Sequence, residues 1–317
     1  MEQPTIIAVG ELLVEFVSHR TGCELRELSE YSGPYPSGAP AICIEQAARI
    51  GANTRIFGGL GKDNFGRALI DRLRSSGVET SDVIHSEKST GVAFVSYFDD
   101  GNRIFIFHLH NTAADAIADA DFKLPSGAII LHVSGSSLGN PRLRVAIEKA
   151  ATDTIARGGL ISCDPNARSE LMEDPAAREA LLEIIQKSTY LFPSDSDLEF
   201  LFPGQSIDES VASLLNYRAE TVALTRGDQG VVLFSNDESI TLAGHSVKEV
   251  DPTGAGDCFC GTFLAMKSQG HSIEDCGRYA NAAGAIAVTR RGPMEGNSDL
   301  TEIKAFMKTN PANTSDA

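Results

Sequence analysis

The chain has 317 residues, 42% hydrophobic and 22% charged, which suits one large globular α/β domain with an insertion. Its formal net charge of −16 disfavours approach to a nucleic-acid backbone or an anionic membrane surface, and no apolar run reaches the ~18 residues that span a bilayer. Six scattered cysteines without a CxxC pair suit neither a disulfide framework nor a zinc site, so a reduced cytoplasm is the expected compartment.

The opening stretch "TIIAVGE" reads as a short buried strand ending at Gly10, with no basic segment ahead of it of the kind a signal peptide carries. Residues 39–50 place Cys43, Ala47 and Ile50 at helical spacing, and Gly51 is a natural stop. "NTRIFGG" is a second strand, and "DNFGRALIDRLRSSG" a helix with Phe65, Leu69 and Leu73 inward and Gly77 at its end. Strand, helix, strand, helix predicts a parallel sheet with crossover helices. The period then changes. Residues 90–110, "TGVAFVSYFDDGNRIFIFHLH", alternate as a hairpin turning at 99–102, and residues 11–35 also lack helical period. Both read as a small β layer projecting from the main sheet. Alternation returns with "GAIILHVSG", a helix over 140–157, "GGLISCD", a helix over 175–187 and "STYLFPS". "ETVALTRGDQGVVLF" supplies two strands joined by a turn. Helices follow over 254–269, 272–289 and about 299–309. A single domain thus spans 1–310, and 311–317 reads as a frayed tail.

The run "DPTGAGDCFCG" at 251–261 lies where the β-rich stretch gives way to an apolar helix, with Ala255, Phe259, Phe263 and Met266 as an inward stripe. That helix begins near Gly254, so its first amides lack intrahelical partners and carry partial positive charge. Gly254, Ala255 and Gly256 let those amides approach a phosphoryl group. Asp257 then lies beside the group in transfer, where a carboxylate can accept an alcohol proton. The alternative is a Gly-rich helix start with an acidic residue in its first turn. Neither GxxxxGK[ST] nor GxGxxG occurs, which removes the main support for P-loop and Rossmann readings. Cys258 and Cys260 flank the turn. A helix N-terminus lowers a thiol pKa, the adjacent Asp257 opposes this, and the expected role is that of small buried hydrophobes.

DPTGAGD resembles the C-terminal signature of the PfkB/ribokinase-like carbohydrate kinases. The likeness continues in family order through "GELLVEF" at 10–16, "PSGAPA" at 36–41, "GGLGKDNFG" at 58–66, "DPNAR" at 164–168, "TRGDQG" at 225–230 and "ANAAGAIAVTRRG" at 280–292. The resemblance implies a ribokinase-like three-layer α/β/α sandwich with a mainly parallel central sheet. Its small β-strand lid would be formed by about 11–35 and 90–110. It implies an ATP-dependent sugar kinase using ATP, Mg2+ and a potassium-type cation. Asp257 is then the base on a primary hydroxyl, and Gly254, Ala255 and Gly256 are the anion hole for the γ-phosphate. Ser194, Thr225, Gly227, Gly230 and Gly256 match the nucleotide-phosphate site, and Asn281 the adenine pocket. Asp251 and Thr253, with backbone at Ala287, Arg290 and Gly292, match the monovalent-cation site, and Asp197 a residue holding magnesium through water. Glu15, Gly38, Ala39, Phe107 and Arg168 match the sugar contacts. The alternating apolar lid residues are compatible with a homodimer packed lid to lid.

Three motifs depart from the family pattern. The early acidic residue, Asp in many members, is Glu15. The Gly-Gly and following Asn of the N-terminal signature are Ser37-Gly38 and Ile42. The magnesium motif Asn-x-x-Glu is Ser194-x-x-Asp197. Kinases for 2-keto-3-deoxygluconate in the family tend to bring an Arg from the second lid strand to the substrate carboxylate; "FHLHNTAA" at 107–114 has Leu109 and His110 there, though Arg168 keeps that substrate in play. His108 and His110 either meet sugar hydroxyls or lie on the lid surface. The motifs look most like the tagatose-kinase-type branch, so a neutral ketohexose, D-tagatose or D-fructose, is expected to be converted to its 6-phosphate. The alternatives are the deoxygluconate kinase, a nucleoside kinase using Tyr97, Phe105 and Phe107 against a base, and a sugar-binding regulator without catalysis.

Overall fold

Strands that are apolar on both faces must be covered on both sides, and right-handed crossover helices do that. The computed structural model, which describes residues 3–98, 103–119, 123–167, 171–236 and 238–313, has this architecture. In chain order its strands are β1 (Thr5–Val9), β2 (Leu13–Ser18), β3 (Tyr31–Ser37), β4 (Thr54–Phe57), β5 (Gly59–Gly61), β6 (Ile84–Ser86), β7 (Gly91–Tyr97), β8 (Arg103–His108), β9 (Ile129–Ser134), β10 (Leu160–Asp164), β11 (Tyr190–Leu191), β12 (Thr221–Thr225), β13 (Val231–Phe234) and β14 (Ser239–Leu242). The main sheet has eight strands in the order β14-β13-β12-β11-β10-β9-β1-β4. From β12 to β4 all pairs are parallel, while β13 and β14 close one edge as antiparallel additions.

Alternation along β1 divides the core. Ile6 and Ala8 face one hydrophobic layer; Ile7 and Val9 face the other. The first layer is covered by α1 (Ala39–Arg49), α2 (Asn64–Ser75), α7 (Ala255–Ser268), α8 (Ile273–Ala287) and α9 (Leu300–Thr309), the second by α3 (Pro141–Ala156), α4 (Pro175–Lys187), α5 (Asp195–Leu201) and α6 (Ile207–Leu215). Helix α7 is buried on nearly every side from Asp257 to Met266, not along one stripe, because α1 and α8 flank it against the sheet.

The lid is a separate sheet, β3-β2-β7-β8. It is mixed: β2 runs parallel to β7, while β7 and β8 form the expected antiparallel hairpin. The hairpin's turn at 99–102 lies outside the described residues. Helices α5 and α6 and strand β14 add to the elements that the sequence predicts. Both helices are short and start with capping boxes, Ser194 with Asp197 and Ser206 with Glu209. Of the expected tail, Asn313 is docked, its amide donating to the Gly244 carbonyl at 2.9 Å.

Candidate active site

In an open α/β sheet, ligands bind beyond the carboxyl ends of the strands, where the order reverses. Here β4 adds to one side of β1 and β9 to the other, so the reversal falls between β1 and β9. Glu11, two residues past β1, meets Ser136 and Ser137 past β9. Ser136 Oγ donates to Glu11 Oε1 at 3.2 Å and Ser137 Oγ to Oε2. The lid covers this point, and a cavity forms between the two.

The cavity brings together Glu15, Gly38, Ala39, Phe107, Gly254 and Asp257, all expected, with Thr253 of the expected cation site. Glu11, Ser37, Ser136, Asn166 and Leu171 also line it, as do Leu13, Ile42, Phe105 and Leu109. An adjoining cavity of about 230 Å³ shares Glu11, Ser136, Leu171 and the three lid side chains Phe105, Phe107 and Leu109. Three buried carboxylates, Glu11, Glu15 and Asp257, therefore face a space whose described lining contains no Lys or Arg. Arg168 lies outside the described residues. The two histidines part company: His108 packs edge-on to Phe94, whereas His110 lines the adjoining cavity.

Two helices point their N-termini into this space, α1 from Gly38 and α7 from Gly254. Of the nine described α-helices these two lack a side-chain N-cap; the other seven are capped by Asp, Asn or Ser. No side chain caps their first amides, and at α7 the Ala255 amide makes only a long bond, 3.4 Å, to the Pro252 carbonyl. Both caps are glycines at positive φ, 108° and 82°, and a Cβ would collide with the Glu11 carbonyl at Gly38 and the Pro293 carbonyl at Gly254. At Gly256, by contrast, a Cβ would find Asp164 Oδ2 at 3.9 Å and nothing nearer. The space over that amide is open. Asp257 sits in the first turn of α7, 7% exposed.

The expected nucleotide residues gather one step further along the sheet. Ser194, past β11, and Thr225, the last residue of β12, form an isolated parallel bridge, and the Thr225 amide donates to the Pro193 carbonyl at 2.9 Å. Gly227 and Gly230, at φ 56° and 94°, shape the following turn, closed by Arg226 N to Gly230 O at 2.8 Å. Asn281 Nδ2 donates to the Ala243 carbonyl at 2.8 Å, which places it beside the segment after β14. Asp197 has a structural task of its own. Its Oδ2 accepts from Ser194 N at 2.8 Å and Ser194 Oγ at 2.6 Å, and its Oδ1 from Ala167 N at 2.8 Å.

The expected cation residues form a knot behind the N-terminus of α7. Asp251 Oδ1 accepts from Thr253 N at 3.0 Å and from the Tyr97 hydroxyl, and Oδ2 from Gly292 N at 2.9 Å. A carboxylate offers about four lone-pair sites, so these three donors leave room for a cation contact. Ala287 and Arg290 belong to the same turn, Arg290 N donating to Ala287 O at 3.3 Å. Cys258 and Cys260 are small buried hydrophobes, as expected; burial pushes both thiols well above their ordinary pKa.

The sequence profile of the pfkB family carbohydrate kinases matches residues 3–300. The chain belongs to that family. It is 33% identical to fructokinase-2 of Zea mays over 302 residues, covering 91% of this chain and 90% of the relative. To fructokinase-1 of Oryza sativa it is 32% identical over 317 residues, covering 96% and 98%. Among solved structures, a ribokinase-II-type protein of E. coli, in complex with ATP and Mg2+, superposes with a TM-score of 0.86 at 36% identity, covering 96% of this chain and 99% of that one. A fructokinase of Vibrio cholerae O395, bound to fructose, ADP and potassium, shares the fold at 24% identity and a TM-score of 0.83, with 96% and 98% covered. This carbohydrate kinase is thus a ribokinase-like sugar phosphotransferase. Glu11 and Asn166, inside the motifs GELLVEF and DPNAR, join the site without being expected from the sequence. Ser136 and Leu171 carried no local signal.

Proposed function

We propose that this kinase transfers the γ-phosphate of ATP to the 6-hydroxyl of D-fructose. The observation that carries the reading is the lining of the cavity: the buried carboxylates Glu11, Glu15 and Asp257 beside two helix N-termini that no side chain caps. Carboxylates accept hydrogen bonds from the neutral hydroxyls of a sugar. The naming of the maize and rice relatives as fructokinases supports the ketohexose.

An alcohol's pKa is near that of water, about 15.7, and a free Asp titrates near 3.9. Full deprotonation before attack would be uphill by roughly 12 pKa units, so Asp257 takes the proton as the new O–P bond forms. The amides of Gly254, Ala255 and Gly256 steady the charge on the transferring group, and positioning supplies most of the acceleration. Ser194, Thr225, Gly227, Gly230 and Asn281 hold the nucleotide. Asp197, through water, and Asp164, beside Gly256, are the carboxylates that would hold magnesium, which when bound would neutralise charge on the phosphates. A potassium-type ion at Asp251, Thr253 and the carbonyls near Ala287, Arg290 and Gly292 would stiffen the anion hole. Exposed Ile104 and Ile106 on the edge strand β8 support a homodimer through the lid. Six free buried cysteines suit the cytoplasm.

The test is ADP release with Mg-ATP and potassium across D-fructose, D-tagatose, 2-keto-3-deoxygluconate, ribose and adenosine. Selective turnover of D-fructose is expected. Preference for the acidic sugar, ribose or adenosine would overturn the substrate, and binding of sugar without any turnover would favour a non-catalytic regulator.

A further inference from the structure

The lid is tied to the anion-hole loop at one corner by two tyrosines. Tyr97, the last residue of β7, donates its hydroxyl to Asp251 and touches Thr253 Oγ1. Tyr35 of β3 lays its ring on Gly292, where a Cβ would sit 2.7 Å from Cδ1. Asp251 is 1% exposed, and the same carboxylate fixes the turn leading into Gly254 through the amides of Thr253 and Gly292. Strand β7 pairs with β8 in a register that sets Val95 opposite Phe105 and Ala93 opposite Phe107. Those two phenylalanines are the aromatic wall of the cavity. Anchoring the end of β7 therefore fixes the wall over the sugar and the turn under the phosphate together.

We propose that Tyr97 is a positioning residue, a latch that holds the lid over the cavity through Asp251 and so couples lid closure to the geometry of the anion-hole turn. The inference rests on the reading of Asp257 and Gly254 as the reacting site. It assigns Tyr97 no contact with sugar or nucleotide.

Tyr97→Phe removes one oxygen and keeps the ring, so the latch can be cut without emptying the core. The first readout is amide hydrogen exchange of the protein without sugar, nucleotide or potassium. Exchange across residues 91–97, 103–108 and 251–254 should speed up roughly tenfold, the scale of one hydrogen bond to a charged group. Phe94→Leu, which disturbs the lid's aromatic stack on Phe16 but not Asp251, should leave exchange at 251–254 slow. In turnover, Tyr97→Phe should raise KM for the sugar about tenfold and leave KM for ATP within about twofold. Lid exchange equal to wild type, or equal acceleration at 251–254 in Phe94→Leu, would overturn the latch. If the wild type fails to phosphorylate fructose, the substrate reading falls while the exchange measurement still decides the latch.

Discussion

In the proposed transfer Asp257 and the three small residues before it divide the labour: one side chain would move a proton, and three positions would contribute backbone only. Replacing Asp257 by Asn keeps shape and removes the base. Turnover should drop by about 10²–10⁴ while calorimetry shows ATP binding unchanged; turnover within a factor of two of wild type would remove Asp257 from the mechanism. Gly254→Ala attacks the other half. A left-handed backbone and the collision with the Pro293 carbonyl should cost about 1–3 kcal/mol in urea unfolding, and a loss below about 0.5 kcal/mol would mean the turn relaxes freely. These positions were legible because the demand for bare backbone leaves a mark in composition. Glu11 left no such mark. It is an ordinary acid after a strand until Ser136, 125 residues away, reaches it. Ser194-x-x-Asp197 was ambiguous for a physical reason: the spacing that resembles a magnesium motif is also the spacing of a capping box, and the structure uses it as one.

At the scale of elements, the long helices and buried strands followed from period alone, whereas α5 and α6 are too short for a period to show and announce themselves only by their caps. Strand β9 carries a different lesson. Its six residues are all buried, yet one is His132, 1% exposed and bonded through Nδ1 to Ser162 Oγ at 2.9 Å. Burial lowers its pKa from 6.5 to about 4. Between those values the unfolded chain binds a proton that the folded protein does not, so stability is full above pH 6.5 and declines as pH falls toward 4. The loss from this one group is at most about 3 kcal/mol. Urea midpoints from pH 7 to 4.5 should fall in the wild type and stay flatter in His132→Asn; parallel curves would show that the ring is not the titrating group.

For the whole molecule, the charge of −16 sets a field that opposes the nucleotide until it reaches the helix ends. Screening should then help association. Raising tetramethylammonium chloride from about 10 to 150 mM shortens the Debye length from roughly 30 to 8 Å, and the ATP association rate in stopped flow should increase several-fold. A decrease would mean that local positive potential outweighs the global field. A parallel sheet with crossover helices was implicit in the alternation of strands and helices, but alternation does not fix the strand order or its point of reversal, which locate the site. The mixed pairing of the lid was not implicit either, because β2 and β7 lie some seventy residues apart and nothing local dictates that they run parallel.

The two uncapped helix ends also govern how the protein tolerates change. A phosphate site made of lysines is lost by deletion, neutralisation or acetylation, but one made of amides has no side chain to lose. Its vulnerability runs the other way. At Gly38 and Gly254 any gain of side chain is an injury, and every substitution of glycine brings one. Drift at these positions is therefore one-sided, and the site keeps its form through what those residues lack.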